Sequence, residues 1–344
     1  MVEDPTRRGA QSLTKRRPCG VATFARQADP FPEEPLNPHR VVSLLASSTE
    51  IVCALDCGER LVGRSHECDH PGWVRKLPAL TEPKFEVALA SGAIDSSVRA
   101  LVERASSVYR VNVDALAALA PDLIITQTQC EVCAVSLRDV EAALAATVPS
   151  RPRIVSLQPD ALADVFRDMR LVSEALGVPE RGVQLVSRLR QRMRGIGVRA
   201  TGRPRPRVVC IEWIDPLMIA GNWTPELIAM AGADDALGRA GEHAGVVPFE
   251  AVVAADPDVI WITPCGFGLA RTRAELAPLL ARPGWAGLRA VREGRVFLGD
   301  GNALFNRPGP RVAETLECLA EALHPGAFRY GHEGLGWERL AADL

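Results

Sequence analysis

Two distant stretches of this chain read alike, and that likeness limits the folds open to it. Val113 to Thr126, VDALAALAPDLIIT, and Phe249 to Thr263, FEAVVAADPDVIWIT, each set an amphipathic helix, a Pro-Asp step and a short apolar run in the same order. Upstream, RVVSLLASSTEIVCALDCGERLVG from Arg40 is echoed by RVVCIEWIDPLMIAGNWTPELIAMAGADDALG from Arg207. Each reads as strand, loop, helix and a turn containing glycine. A unit that alternates strand and helix joins its strands in parallel through crossover helices. Two such units in one chain predict an α/β protein of two doubly wound, mostly parallel-sheet lobes.

Continuous apolar runs place strands near Val41–Leu45, Leu61–Gly63, Leu123–Thr126 and Ile154–Leu157 in the first lobe, and near Val208–Glu212, Val259–Thr263 and Val296–Leu298 in the second. Between them, PDALADVFRDMRLVSEALGVPERGVQLVSRLRQRMRGIG carries apolar residues at helical spacing and reads as a long joining helix with a break near GVPE. The expected division is a tail over 1–38, an α/β lobe over 39–158, a connecting helix and linker over 159–206, a second α/β lobe over 207–334 and a tail over 335–344. Residues 82–110 have no counterpart in the second half and read as a surface insertion.

With 47% apolar and 24% charged residues among 344, the composition is that of a globular protein. A net charge of −2 and few aromatic residues give no footprint for nucleic acid. No apolar run approaches the roughly 18 residues of a membrane span. Arg16 and Arg17 ahead of CGVATFA suggest a twin-arginine leader, but that apolar run is short and ends at Arg26. The expectation is a cytoplasmic protein, with a periplasmic or other extracytoplasmic location through that weak leader as the alternative.

Parallel α/β sheets bind ligands beyond the carboxyl ends of their strands. Following each strand to that end gives SSTE (Ser47, Ser48), SHECD (His66, Glu67, Cys68), QTQCEVC (Cys130, Cys133), EWIDP (Glu212, Trp213, Asp215), PCGFG (Cys265) and GNALFNRPGPR (Phe305, Asn306, Arg307). His66, Cys68, Cys130, Cys133 and Cys265 are candidate ligands for zinc, iron or copper, since thiolate and imidazole suit such ions. The same residues also serve as plain pocket lining, and a single CxxC does not decide between the two. Ser47, Ser48, Trp213, Asp215, Trp223, Phe305, Asn306 and Arg307 are candidate ligand contacts. The other four positions inside the two lobes, Cys53, Cys57, Cys210 and Cys318, read as small core residues. No phosphate loop, dinucleotide fingerprint, nucleophile elbow or HExxH zinc motif is present.

From about Arg40 to Pro325 the chain resembles the cobalamin-binding members of the metal-chelate solute-binding proteins. The resemblance rests on RVVSLLASSTEIVCALDCGERLVGRSHECDHP, VDALAALAPDLIIT and NRPGPRVAETLECLAEALHP. It implies two lobes joined by a rigid helix, a cobalamin, other corrinoid or iron chelate held in a cleft between them, and an ABC permease as partner if the chain is exported. The thiols of SHECD and QCEVC sustain a second class on the same scaffold. That class is a cytoplasmic metalloenzyme using a Cys/His-bound metal or a reactive cysteine, with Cys68, Glu67 and Glu212 as catalytic candidates.

Overall fold

In a computed structural model, residues 37–103, 108–127 and 152–341 are described. Strands β1 (Val41–Ser43), β2 (Leu61–Arg64), β5 (Leu123–Gln127) and β6 (Arg153–Leu157) form a parallel sheet in the order β2-β1-β5-β6. All five residues of β5 are buried, as an unbroken apolar run covered on both faces requires. A separate hairpin, β3 (Thr81–Pro83) with β4 (Tyr109–Val111), flanks this lobe.

The second sheet repeats the pattern. Strand β7 (Arg207–Trp213) pairs in parallel with β9 (Asp234–Asp235) on one side and β11 (Val259–Ile262) on the other, and β11 pairs with β12 (Val296–Gly299). The core order β9-β7-β11-β12 is therefore that of the first lobe. Two short antiparallel strands, β8 (Met218–Ile219) and β10 (Gly245–Val246), extend one edge. Strand β13 (Trp337–Arg339) closes the other edge against β12. Those last three residues were expected in a C-terminal tail; the buried Trp337 draws them into the sheet.

The repeated Pro-Asp step has the same physical task in both lobes. Ala120 (φ 41°) ends helix α3 (Val113–Leu119) in the left-handed conformation, and Asp256 (φ 36°) ends helix Phe249–Ala255 likewise. The chain then turns through proline into the next strand. The Asp122 carboxylate accepts from the backbone N–H groups of His39 and Arg40, each at 3.0 Å, at the entry to β1. Asp258 accepts from Arg207 N–H at 2.8 Å at the entry to β7. Arg40 in turn donates to the last helical carbonyl, Leu119 O, at 2.7 Å, and Arg207 to Ala255 O at 2.8 Å. One acid and one arginine thus tie helix end to central strand twice over.

Helices Leu162–Ala175 and Pro179–Ala200 join the lobes. The expected break falls at Gly177 (φ 73°), after which Pro179 opens the 22-residue second helix at a position that needs no N–H donor. The two helices cross at Gly182, where an added Cβ would stand 2.0 Å from Ser173 Oγ. One apolar cluster runs from Val41, Ile51 and Leu123 through Met169, Leu189 and Met193 to Val208, Leu227 and Leu316, so the joining helices share the core of both lobes. Among the described residues, no helix is long and apolar enough to cross a membrane.

Candidate functional site

The carboxyl ends of both sheets carry the loops singled out above. On the first lobe, β1 runs into helix α1 (Ala46–Ala54), and its polar residues close on one another beneath the rim. Ser43 and Ser48 share a hydrogen bond of 2.6 Å. The Thr49 hydroxyl lies 2.8 Å from Ser43 Oγ and donates to Cys68 Sγ at 2.9 Å. Cys68 is 1% exposed, and burial pushes its thiol up to about 11. It is neutral at physiological pH and poor as a nucleophile or metal ligand. Ser47 and Ser48 are buried too, rather than open on a ligand-facing wall.

His66 follows β2. Its Nδ1 is 2.7 Å from Thr81 Oγ1, and its ring lies 5.3 Å from that of Tyr109. Burial, and then the positive charge of Arg64, lower its pKa, so the imidazole is neutral. Nδ1 is engaged and Nε2 has no hydrogen-bond partner among the described residues. Glu67 is reachable from solvent yet hemmed in by protein, and desolvation, opposed by Arg307, raises its carboxyl to about 7.

On the second lobe, Asp300 caps the π-helical turn Gly301–Phe305, accepting from Asn302 N–H at 3.0 Å and Ala303 N–H at 2.7 Å. Gly301 is required there, because a Cβ would lie 2.1 Å from Pro264 O. Asn306 donates to Thr263 O at 3.1 Å and locks this turn to the loop after β11. Cys265 on that loop is half-buried, with its N–H bonded to Glu212 O at 3.1 Å. Trp213 donates through Nε1 to Asp215 O at 3.0 Å and packs 5.2 Å from Phe267, over which the Arg271 guanidinium lies at 3.8 Å.

Three expected ligand contacts turn inward instead. Phe305 is 1% exposed and packs against Trp261 at 5.1 Å, in space left by Gly299. Trp223 belongs to the apolar core. Arg307 is buried in an ion cluster between the lobes. It donates to Glu50 Oε1 at 3.0 Å and to Asp69 Oδ1 at 2.6 Å, while Arg311 grips both oxygens of Glu50 at 2.8 and 2.5 Å. Burial works against the ionisation of Asp69, but Arg307 outweighs it and holds the carboxyl below its ordinary value. Glu50 and Asp69 were not among the candidate residues. The signal for Glu50 was a lone acid in the uncharged run SSTEIVCAL, since a carboxylate on a buried helix needs a cation.

Cys130 and Cys133 lie outside the described residues. Among the described residues, no three His, Cys, Asp or Glu side chains are grouped to hold a metal ion, so His66, Cys68 and Cys265 do not form such a cluster. Cys57, Cys210 and Cys318 are buried as expected of core thiols, and Cys53 is half-buried.

The sequence pattern of a family described as periplasmic binding protein matches residues 41–303. YvrC of Bacillus subtilis (strain 168), described as an uncharacterized ABC transporter substrate-binding lipoprotein, is 26% identical over 298 residues, covering 85% of this chain and 82% of that protein. A periplasmic heme-binding protein from Pseudomonas aeruginosa has a TM-score of 0.62 at 26% identity, with 84% of this chain and 94% of that one covered. The periplasmic vitamin B12-binding protein BtuF of Vibrio cholerae has a TM-score of 0.60 at 19% identity, covering 84% and 98%, a likeness of fold. These relatives are described as periplasmic or as a lipoprotein, which overturns the cytoplasmic expectation. That expectation gave too much weight to the shortness of the apolar run after Arg17. Nothing among them favours the enzyme alternative. The chain belongs to the periplasmic binding protein family.

Proposed function

We propose that this chain is the extracytoplasmic receptor of an ABC importer and carries a metal chelate of the tetrapyrrole class, a heme or a corrinoid, between its lobes. The observation that carries the choice of chelate over bare ion is the state of the rim's donors. A bare zinc or iron ion needs three or four protein ligands. Among the described residues no three His, Cys, Asp or Glu side chains are grouped for such an ion, whereas His66 presents an imidazole with Nδ1 steadied by Thr81. One axial donor suits a metal whose equatorial positions a macrocycle already fills. A ligating histidine is commonly oriented through its other nitrogen, as Thr81 does here. Trp213, half-buried on the second lobe's rim with Phe267 packed behind it, supplies an aromatic face for a flat ligand. The heme-binding relative from Pseudomonas aeruginosa supports the same reading. An importer's permease is the partner this role requires.

Titrating the purified protein separately with hemin and with cyanocobalamin, followed by visible absorbance, tests the proposal. One of the two is expected to bind with one-to-one stoichiometry, and His66→Ala is expected to change the bound spectrum. Saturation by neither ligand would defeat it.

A further inference from the structure

The insertion expected to be a plain surface loop crosses from one lobe to the other. It leaves the first lobe at β3, whose Thr81 holds His66. It passes through the exposed, irregular residues 86–90 and enters helix α2 (Ser91–Glu103) against the second lobe. There Ser91 N–H donates to Glu275 Oε2 at 3.2 Å, and Arg271 Nη2 donates to Leu89 O at 3.0 Å. Gly92 lies so close to Asp215 that an added Cβ would stand 2.6 Å from Asp215 Oδ2 and 3.7 Å from Asp215 Cβ. Asp215 is at the carboxyl end of β7, and Arg271 covers Phe267 beside the rim. The segment therefore starts at His66 and lands beside Trp213, the two sides of the proposed site.

We infer that residues 84–103 form a latch over the mouth of the cleft, and that a chelate enters only after the contacts of Leu89, Ser91 and Gly92 release. This deepens the receptor reading and rests on it for the identity of the cargo. The contacts are suited to release. They comprise two hydrogen bonds and one close approach; residues 86–90 are exposed, and the apolar anchorage of the segment is confined to Ile94 and to Phe85 and Val98, which pack on the first lobe's core. Such segments open far more readily than the core they lie on. Two carboxylates, Asp215 and Glu275, face the start of α2, where the helix dipole favours negative charge.

The 3.7 Å approach of Gly92 and Asp215 supplies the test, because disulfides join Cβ atoms about 3.5–4.5 Å apart. In the Gly92→Cys/Asp215→Cys variant, mild oxidation is expected to form the cross-link, read by peptide mass mapping. Cleft access is then measured without any ligand, as the rate at which a bulky maleimide labels Cys265, with oxidised wild type as control. Locking is expected to slow that labelling by about tenfold or more relative to the reduced variant's peptide, as a closed cover requires. Failure of the cross-link to form, or labelling of Cys265 at an unchanged rate, overturns the latch. Hemin and cyanocobalamin uptake, run alongside, is expected to slow in the locked form and recover on reduction. If neither binds wild type, the receptor reading fails while the labelling result still judges the latch.

Discussion

Replacing Arg307 by methionine tests the ion cluster that pins the two lobes together. Arg307 is 5% exposed and Glu50 4%, so both charges have left bulk water and depend on each other. Removing one partner of a buried pair typically costs about 3–5 kcal/mol. Here the loss is softened on both sides. Glu50 keeps two contacts from Arg311, and Asp69 is partly solvated with Arg75 at 3.7 Å. The expected loss of unfolding free energy in Arg307→Met is therefore about 3 kcal/mol, the lower end of that range. Glu50→Leu alone strands Arg307 with only Asp69 as a carboxylate partner and leaves Arg311 to rehydrate through its exposed edge. In the double variant neither buried charge is left facing an empty partner. The double variant should thus cost less than the sum of the singles by about 2 kcal/mol, within the range seen for groups in direct contact. Urea unfolding of the four proteins in the cycle measures this. Additivity within about 0.5 kcal/mol would show that the pair is not coupled, and the floor of the cleft is then not held by it.

Three further outcomes follow from particular side chains. The Glu67 carboxyl is raised from 4.5 to about 7, chiefly by desolvation, so between those values the folded chain holds a proton that the unfolded chain has released. Stability should fall as pH rises through that window, and Glu67→Gln should flatten the slope of the unfolding midpoint against pH; an unchanged slope places the titration elsewhere. Gly182→Ala sets a methyl 2.6 Å from Ser173 Cβ at the crossing of the joining helices. It should cost about 1–3 kcal/mol by calorimetry, recovered in part by Ser173→Gly, and a neutral effect would mean the helices are not that close. Native protein treated with iodoacetamide at neutral pH should be modified at Cys265 and spared at Cys68, whose thiol is buried and raised to about 11. Comparable rates at both sites, by peptide mapping, would contradict the placement of Cys68.

Much of the fold was legible because local chemistry dictates it. Buried parallel strands such as LIIT and VIWI must be nearly all apolar, Pro-Asp marks the helix-to-strand turn twice, and Gly177 with Pro179 announces the break between the joining helices. The two-residue strands and β13 were not legible, since their pairing is decided by tertiary contact rather than by pattern. The candidate loops were legible as strand ends, but the placement of their side chains was not. Phe305 turns inward because Gly299 leaves it space, and Arg307 is committed to a glutamate 257 positions earlier in the chain. Neither fact has a signature within reach of the residue concerned. The insertion's landing on Asp215 and Glu275 is likewise a long-range contact that no local pattern announces.

The receptor reading is tested most directly by native mass spectrometry of the intact protein after incubation with hemin, cyanocobalamin and zinc chloride together. A single adduct with the mass of one tetrapyrrole, diminished in His66→Ala, is the expected result. Unliganded protein, or protein carrying only zinc, would contradict it.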